Sequence, residues 1–320
     1  MSFLLDLAFA PLNDQRPSPR PSPGGEGDRA APLAALRHNG VMVVAHTLEQ
    51  LKPHFGGVLV PTMGALHAGH VELIEIAARH AHDALGGAPV VVYVFVNPTQ
   101  FDEKDDFDRY PRTLDADVAI ADAAGAQCVF APASELVYPR DEAIPVGRIP
   151  DCAVNKGLED AYRPGHFEGV CQVVRRFFAL TQCAAAVFGE KDWQQLQTVR
   201  AMSEEEGLGV TIVPGPTVRE ADGLALSSRN VHLTADERER ALAISQGLRA
   251  AQQERTVADA ERAIRESMAS AGIDVNYATV RDAATLAPLP PEMTAKELNA
   301  PARALAAGRL GLVRLLDNMG

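Results

Sequence analysis

The chain has 320 residues, of which 47% are hydrophobic, 22% charged and 5% aromatic, and its formal net charge is −12. This length allows two domains, and the composition excludes a collagen, a coiled coil and a disulfide scaffold. Because 42 acidic residues outnumber 30 basic ones, the field of the protein repels polyanions, which argues against a nucleic-acid partner. The four cysteines form no C-x-x-C pair, so we expect free thiols in a reducing cytoplasm rather than a zinc or redox site.

The first 41 residues do not have the pattern of a folded domain. Residues 14–29 are rich in Pro, Ser, Gly and Arg, and such a segment cannot bury enough apolar surface to offset its chain entropy. We expect residues 1–41 to be a disordered extension, or to precede the true translation start at Met42. The N-terminal apolar run is split by Asp6 and has no basic segment before it, unlike a signal peptide. No apolar stretch approaches the roughly 20 residues that span a bilayer, so we expect a cytoplasmic protein with no membrane partner.

From about residue 42, short β-branched runs alternate with longer helical segments, which predicts βαβ units and a parallel sheet. The predicted strands are residues 58–60, 90–97, 128–130, 185–188 and 210–213. The predicted helices are residues 70–85, 113–124, 169–182 and 192–206. The run 90–97 is apolar almost throughout, as expected of a central strand covered on both faces. The fold class predicted is α/β, with a Rossmann-like, doubly wound parallel sheet.

The alternation stops at Pro214-Gly215-Pro216, and we place a domain boundary near residue 217. Beyond it we predict helices at 234–253 and 256–271 and strands at 275–281 and 309–316. The predicted organisation is therefore a larger domain over residues 42–217 and a smaller α+β domain over residues 218–320.

Ligands bind at the carboxyl ends of the strands in open α/β sheets, so polar segments after strands are candidate sites. In the first segment, a glycine-containing turn leads into a helix N-terminus, where free N–H groups bind anions. His67 and His70 are three residues apart there and can both donate to phosphate oxygens. Between them Gly69 allows a nucleotide to approach the backbone. The alternative is that these histidines are merely polar surface, but their position after a strand favours a site.

Two further segments follow strands and carry amides or a cation. Gln100 comes after the most apolar strand, and its amide suits a small polar substrate, although Asn-Pro is also an ordinary turn. Lys191 is a candidate phosphate cation, or a solvated surface lysine, and Asp192 is a candidate helix cap or ribose partner. Gln195 is a second amide in the same segment.

A fourth segment has two hydroxyls and a guanidinium in a glycine-containing loop. Ser227, Ser228 and Arg229 could form a mobile phosphate clamp, or simply a turn with a surface arginine. The loop at residues 162–169 adds Arg163 and His166, for which a structural turn is an equal alternative.

The motifs together resemble those of the pantoate–β-alanine ligase family. PTMGALHAGH, FVNPTQF, YPRTLDAD, RPGHFEGV, FGEKDWQQL, PTVREADGLALSSRN and RLGLVRLLDN occur in that family's order and spacing, over about residues 42–319. The departures are small: Ala68 stands where relatives often carry a charge, Trp193 where Tyr is common, and Leu226 where Met is frequent. The resemblance implies a cytoplasmic homodimer that uses ATP and Mg²⁺. ATP adenylates pantoate with release of diphosphate, and β-alanine then attacks the pantoyl adenylate to give pantothenate and AMP.

The resemblance also implies roles for individual residues. His70, as proton donor, together with His67, Lys191 and Arg229 would be catalytic, and Gln100 and Gln195 would hold pantoate and β-alanine. Asp117 matches an acidic position that helps to hold the metal, which is bound mainly through the ATP phosphates. The implied ATP site comprises Met63, Gly64, Ala65, Leu66, His67, Ala68, Gly69, His70, Gly189, Glu190, Lys191, Asp192, Val218, Leu226, Ser227, Ser228 and Arg229.

The sequence leaves two alternatives open. Another nucleotidyltransferase with a His-x-Gly-His motif would share the first segment, although such enzymes usually carry a lysine-rich loop where this chain has Ser227-Ser228-Arg229. A non-catalytic nucleotide-binding module is the other alternative, and the retention of every proposed phosphate donor disfavours it.

Overall fold

The computed structural model describes residues 41–101, 104–294, 297 and 300–320. The expectation for residues 1–41 therefore concerns a segment that lies, except for Val41, outside the described residues. In the described part of the chain, no helix combines the length and apolar character needed to cross a membrane.

The larger layer is a parallel sheet of six strands. These strands are β1 (Val43–Ala45), β2 (Val58–Thr62), β3 (Val90–Val94), β4 (Cys128–Phe130), β5 (Ala185–Gly189) and β6 (Thr211–Gly215), in the order β1-β4-β3-β2-β5-β6. The longer helices beside the sheet are α2 (Ala68–Leu85), α4 (Leu114–Ala123), α7 (His166–Thr181) and α8 (Trp193–Glu205). Shorter helices are α1 (Leu48–Leu51), α3 (Lys104–Arg109), α5 (Ser134–Val137) and α6 (Glu159–Tyr162). Single 3₁₀ turns lie at Lys52–His54, Pro98–Gln100, Asp151–Ala153, Glu190–Asp192 and Ser228–His232.

Alternate residues of the central strands pack into different cores. On β2, Val58 and Val60 pack with Ile74 of α2, whereas Leu59 packs with Phe177 of α7. Successive side chains of a strand point to opposite faces, so both faces of this sheet are buried under helices. This arrangement confirms the predicted doubly wound α/β class.

A second sheet, which is antiparallel, follows in the chain and agrees with the predicted smaller α+β unit. It contains β7 (Asp274–Asp282), β8 (Ala302–Leu310) and β9 (Val313–Met319) in that order. The helices before it are α9 (Ala235–Arg240), α10 (Leu242–Ala251) and α11 (Val257–Ser270). Leu248, Ile264 and Leu310 belong to the hydrophobic core that α10 and α11 share with this sheet.

Three details of the element prediction were wrong or incomplete. The strand predicted at 309–316 is a hairpin whose turn, with Gly311 at φ +58°, joins β8 to β9. Most of β8 escaped prediction because ARALAAGRL has no β-branched residue. Position 308 requires glycine, since a Cβ there would lie 2.8 Å from the carbonyl oxygen of Asp274. The helix predicted at 234–253 is divided at Ala241 into α9 and α10, and the short strand β1 was not predicted.

Candidate active site

The strand order brings the carboxyl ends of β2 and β5 side by side. After β2 the chain builds β3 and β4 on one side, and then crosses to place β5 on the other side of β2. Ligands of open α/β sheets bind where the strand order reverses in this way. The segment with His67 and His70 follows β2, and the segment with Lys191 follows β5, so both open into one cleft.

Residues of the second sheet form another wall of this cleft. Tyr277 of β7, Leu305 of β8 and Asn318 of β9 line it together with the segments that follow β2, β3 and β5. The cleft therefore lies between the two sheets, and both contribute side chains to it.

His67 and His70 form a reciprocal cap at the start of α2. Nδ1 of His67 accepts a hydrogen bond from the backbone N–H of Gly69 (3.1 Å), and Nδ1 of His70 accepts one from the backbone N–H of His67 (3.2 Å). A ring nitrogen that accepts carries no proton, so in each neutral ring the proton is on Nε2. The two rings lie 4.2 Å apart between centroids and can each present an Nε2–H donor to a ligand.

Both imidazoles are neutral at physiological pH. Burial, followed by repulsion from His67, lowers the pKa of His70 to about 3, although the Asp192 carboxylate opposes this shift. Burial and then the Lys191 ammonium also lower the pKa of His67. Lys191 lines the same cleft as both histidines.

Asp117 lies beneath the loop that joins β2 to α2. Its carboxylate is 1% exposed and accepts hydrogen bonds from the backbone N–H groups of Ala65 (3.1 Å) and Leu66 (2.8 Å) and from the Thr113 hydroxyl (3.2 Å). The loop needs this support because Gly64 and Ala65 adopt left-handed φ angles of +85° and +53°, which are strained for alanine. Asp117 does not line the cleft, so its carboxylate fixes the loop from below.

Gln100 is placed by the turn after β3 and by α7. Its side chain accepts a hydrogen bond from Asn97 (3.2 Å) and donates to Met63 Sδ (3.3 Å). Helix α7 approaches this turn closely, because a Cβ on Gly169 would lie 2.4 Å from the carbonyl oxygen of Thr99. His166 donates from Nδ1 to the Gln100 carbonyl (3.2 Å), and Arg163 Nη2 donates to the same oxygen (3.1 Å).

The segment after β5 presents Lys191, Asp192 and Gln195 to the cleft. Lys191 Nζ lies 3.7 Å from the Asp192 carboxylate, and its side chain is 21% exposed. The Asp192 side chain makes no capping hydrogen bond at the start of α8, so it is not the structural cap that was the alternative for this residue. It is available to a ligand in the cleft.

The loop with the two serines is braced against β9. Ser227 accepts from the backbone N–H of Arg229 (3.3 Å), and Ser227, Ser228 and Arg229 all line the cleft. Upstream in the same loop, Arg219 forms a bidentate ion pair with Asp317 of β9 (2.6 and 2.8 Å). The loop is thus joined to the second sheet at its base.

The structure brings most of the predicted site residues together. The cleft is lined by Met63, His67, Gly69, His70, Gln100, Gly189, Lys191, Asp192, Gln195, Val218, Leu226, Ser227, Ser228 and Arg229. Five residues predicted for the ATP site are not among the lining residues: Gly64, Ala65, Leu66, Ala68 and Glu190. The side chain of Glu190 instead pairs with Arg303 of β8 (3.0 Å).

Sequence reasoning missed Glu159 of α6 and Tyr277 of β7, which meet at the cleft. Glu159 of α6 is buried beside Arg314 of β9 in a bidentate ion pair (2.7 and 2.8 Å) and accepts from the Tyr277 hydroxyl (2.8 Å). Burial opposes its ionisation most strongly, but the hydrogen bonds and charge of Arg314, the charge of Arg163 and the Tyr277 hydroxyl together lower the pKa of Glu159 to about 2. Glu159 and Tyr277 line the cleft, and no local motif marks them.

Comparisons with known proteins agree on one family. The family model described as pantoate-beta-alanine ligase matches residues 40–320. A pantothenate synthetase of Myxococcus xanthus is 46% identical over 267 residues, which cover 82% of this chain and 87% of that protein. One from Bradyrhizobium is 43% identical over 295 residues, covering 91% of this chain and 97% of that protein.

Solved structures give the same result. The crystal structure of pantothenate synthetase from Thermus thermophilus matches with a TM-score of 0.78 and 40% identity, covering 87% of this chain and 99% of that one. A pantoate-beta-alanine ligase from Francisella tularensis, complexed with beta-gamma ATP and beta-alanine, matches with a TM-score of 0.68 and 29% identity, covering 87% and 97%.

Proposed function

The chain belongs to the pantoate–β-alanine ligase family, and from this premise we propose that its cleft condenses (R)-pantoate with β-alanine by way of a pantoyl adenylate. ATP supplies the adenylyl group, and diphosphate and AMP leave in turn. The enzyme is a ligase that forms a C–N bond, and pantothenate is the product.

One observation carries the proposal: the cleft combines a set of cationic and neutral donors with two amides. Lys191, Arg229 and the Nε2–H groups of His67 and His70 supply donors for phosphate oxygens. Gln100 and Gln195 supply neutral polar groups for a hydroxy acid. Such a site suits the joining of a carboxylate to a nucleotide.

The first step meets mainly electrostatic resistance. A carboxylate attacks the α-phosphorus of an anionic triphosphate, so charge repulsion and the charge that develops on the leaving diphosphate determine the barrier. Lys191 and Arg229 reduce both, and the serine hydroxyls bind the leaving diphosphate. His70 donates a hydrogen bond from Nε2, because a ring whose pKa is about 3 has no second proton to transfer at neutral pH.

Mg²⁺ enters as part of the Mg·ATP substrate. In the described part of the chain, no group of three or more His, Cys, Asp or Glu residues could hold a metal ion. Both Asp117 oxygens accept hydrogen bonds from the loop below the cleft. We therefore assign Mg²⁺ to the ATP phosphates and assign Asp117 to the support of the loop instead of the metal.

The second step requires a neutral amine and protection from water. The β-alanine amine attacks the acyl carbon of the pantoyl adenylate, a new C–N bond forms, the nitrogen releases one proton, and AMP leaves with the electrons of the C–O bond. Water would hydrolyse the same intermediate, so a closed site favours the amine. The Ser227-Ser228-Arg229 loop and the wall formed by the second sheet can enclose the intermediate, and we assign residues 218–320 to a lid domain above residues 42–217.

The remaining assignments concern assembly and location. We propose that Asp192 binds the ribose, that Val218 and Leu226 contact the nucleotide, and that the enzyme is a homodimer in the cytoplasm. The oligomeric state is tested by light scattering on the eluting peak of a size-exclusion column. A monomer mass at micromolar concentration would contradict the dimer.

The decisive experiment follows AMP formation from ATP. We expect AMP only when pantoate and β-alanine are both present, and exchange of diphosphate into ATP with pantoate alone. Another His-x-Gly-His nucleotidyltransferase would release diphosphate with a phosphate ester and ignore β-alanine. Absence of AMP with both substrates present would contradict the proposal.

Two lysine variants test whether Lys191 of the cleft takes part in the reaction. Lys191→Ala should lower the exchange rate by roughly 100- to 1000-fold, the usual cost of one preorganised donor. Lys52→Ala is the matched control, because Lys52 is an exposed lysine paired with Glu49 outside the cleft. Equal exchange rates for the two variants would show that Lys191 has no role in the reaction.

A further inference from the structure

Asn318 near the end of β9 holds the backbone of the Lys191 segment. Its Nδ2 donates to the carbonyl oxygen of Glu190 (2.9 Å) and to that of Lys191 (2.7 Å). Its side chain is buried, with the residue 2% exposed. The contact joins positions more than 120 residues apart, and Asn318 itself lines the cleft.

The amide of Asn318 is used completely, and its orientation is fixed. Its Oδ1 accepts from Nε of Arg303 (2.7 Å), while both Nδ2 hydrogens meet carbonyl oxygens. A flipped amide would bring Oδ1 against two carbonyls and Nδ2 against a guanidinium, so only the observed orientation satisfies every group. A carboxylate at this position would keep the acceptor for Arg303 and lose both donors.

Arg303 holds this arrangement from the other side. Its guanidinium lies 3.7 Å from the centre of the Trp193 ring and donates to the Glu190 carboxylate (3.0 Å). The Trp193 indole in turn donates to the carbonyl oxygen of Ala283 (2.8 Å). Asn318 of β9 therefore holds the carbonyl oxygens of Glu190 and Lys191. Arg303 of β8 contacts the side chains of Glu190 and Trp193.

The position of the Lys191 carbonyl limits where the Lys191 side chain can go. When the peptide plane next to a Cα is fixed, the side chain can move only between its rotamers. Displacement of a catalytic ammonium by about 1 Å can lower the rate about 100-fold. The Lys191 side chain makes one ion pair in the described structure, at 3.7 Å with Asp192. Its placement toward His67 and His70 therefore depends on the backbone that Asn318 holds.

We propose that Asn318 is a positioning residue for the adenylation step, through which the second sheet sets the location of the Lys191 ammonium. The proposal rests on the proposed function of Lys191 in binding the ATP phosphates. Asn318 acts through the two carbonyls and need not touch a substrate.

The test measures pantoate-dependent exchange of diphosphate into ATP for Asn318→Asp and Asn318→Ala. We expect the maximal exchange rate to fall about 30- to 100-fold in each variant, with little change in the KM for pantoate. Thermal melting and circular dichroism establish that each variant is folded. If the aspartate variant does not fold, the alanine variant decides.

A double-mutant cycle separates positioning from general damage. In a Lys191→Ala background, Asn318→Ala should lower the rate by less than about threefold, because the ammonium that it places is already gone. Val313→Ala is the control, since Val313 also lies on β9 and packs in the core of the second sheet. It should lower the melting temperature and leave the exchange rate near that of the parent.

Three outcomes have distinct meanings. Full additivity of the Lys191 and Asn318 changes overturns the positioning role while Lys191 keeps its own function. An equal loss of exchange in Val313→Ala also overturns it, because the effect would then come from the whole sheet. An unchanged rate in Lys191→Ala would instead show that the proposed function of Lys191 is wrong.

Discussion

The backbone N–H of His67 donates to Nδ1 of His70 over 3.2 Å. This hydrogen bond leaves the proton of the His70 ring on Nε2 and gives one side chain two roles. The same residue stabilises the start of α2 and offers an N–H group to a ligand. The two roles can be separated, because Gln and Asn side chains can each replace one of the two ring nitrogens.

We predict that His70→Gln retains more exchange activity than His70→Asn. The Gln amide can place an N–H near the position of Nε2, whereas the shorter Asn can replace only the accepting Nδ1. The Asn variant should lose roughly 100- to 1000-fold in exchange rate and keep the cap. A larger activity in the Asn variant would show that capping, and not donation, is what the reaction needs.

The neutral state of His70 also predicts the pH profile of exchange. Because the pKa of His70 is about 3, its titration should leave the rate unchanged between pH 8 and pH 5. The rate is measured across this range in wild type and in His70→Gln. An inflection near pH 6.5 that is present in wild type and lost in the variant would contradict the assigned protonation state.

The lowered pKa of His166 allows a prediction of how stability depends on pH. Burial and then the Arg163 guanidinium lower its pKa to about 4, although the Gln100 carbonyl and the carboxylates of Glu159 and Asp192 oppose this. Below pH 6.5 the unfolded chain binds a proton on this ring and the folded protein does not. The free energy of unfolding should therefore fall as the pH drops from about 6.5 to about 4 and stay level above 6.5.

Removing the ring tests this contribution. His166→Asn keeps a donor for the Gln100 carbonyl, and it should reduce the slope of unfolding free energy against pH by up to about 1.4 kcal/mol per pH unit in that window. The slope is measured by urea unfolding at several pH values. An unchanged slope would mean that His166 is already charged in the folded protein.

We predict that removal of the Asp117 carboxylate lowers both stability and activity without changing the dependence of the rate on Mg²⁺. Asp117→Asn replaces one accepting oxygen by an NH₂ group that faces the loop N–H groups, which should cost about 2–4 kcal/mol and raise the KM for ATP. The Mg²⁺ dependence at fixed Mg·ATP should not change. Asp115→Asn is the control, because Asp115 is exposed in the first turn of the same helix. A large shift in the Mg²⁺ requirement of Asp117→Asn alone would restore the metal-ligand interpretation.

We predict that a side chain at position 169 displaces Gln100 by moving the backbone of its turn. A Cβ at Gly169 would lie 2.4 Å from the Thr99 carbonyl oxygen and 3.0 Å from the Gln100 nitrogen, so Gly169→Ala must displace the turn. We expect a loss of about 1–3 kcal/mol in stability and a higher KM for pantoate. Glu168→Ala alters the exposed neighbour on the same helix and should change neither. An unchanged KM in Gly169→Ala would place the pantoate contact elsewhere.

The sequence predicted the features that depend on nearby residues. Periodicity identified β2 to β6 and the longer helices α2, α4, α7 and α8, because burial repeats every two residues in a strand and every 3.6 in a helix. The short helices α3, α5 and α6 were not predicted. The motifs after β2, β3 and β5 identified His70, Gln100 and Lys191, since each motif is continuous in the chain. The alanine-rich β8 was missed because it contains no β-branched residue.

The second sheet contributes what the sequence left undetermined. Glu159 of α6 and Tyr277 of β7 carry no local signal, and each becomes part of the cleft through partners more than 30 residues away. Asn318 lies in the motif RLGLVRLLDN, but the motif does not show its contact with the Lys191 segment, which joins positions 127 residues apart. Asp117 shows the same limit in another way, because the hydrogen bonds that it accepts from the backbone of Ala65 and Leu66 join positions more than 50 residues apart.

The sequence by itself determined the fold class, the family and the chemical types that meet at the strand ends. Only the tertiary structure decided the protonation of His67 and His70, the support of the loop by Asp117 and the connection of Asn318 to the Lys191 segment. The physical reason is that residue type and spacing record burial and local turns, whereas hydrogen-bond partners and electrostatic environment depend on groups brought together from distant parts of the chain.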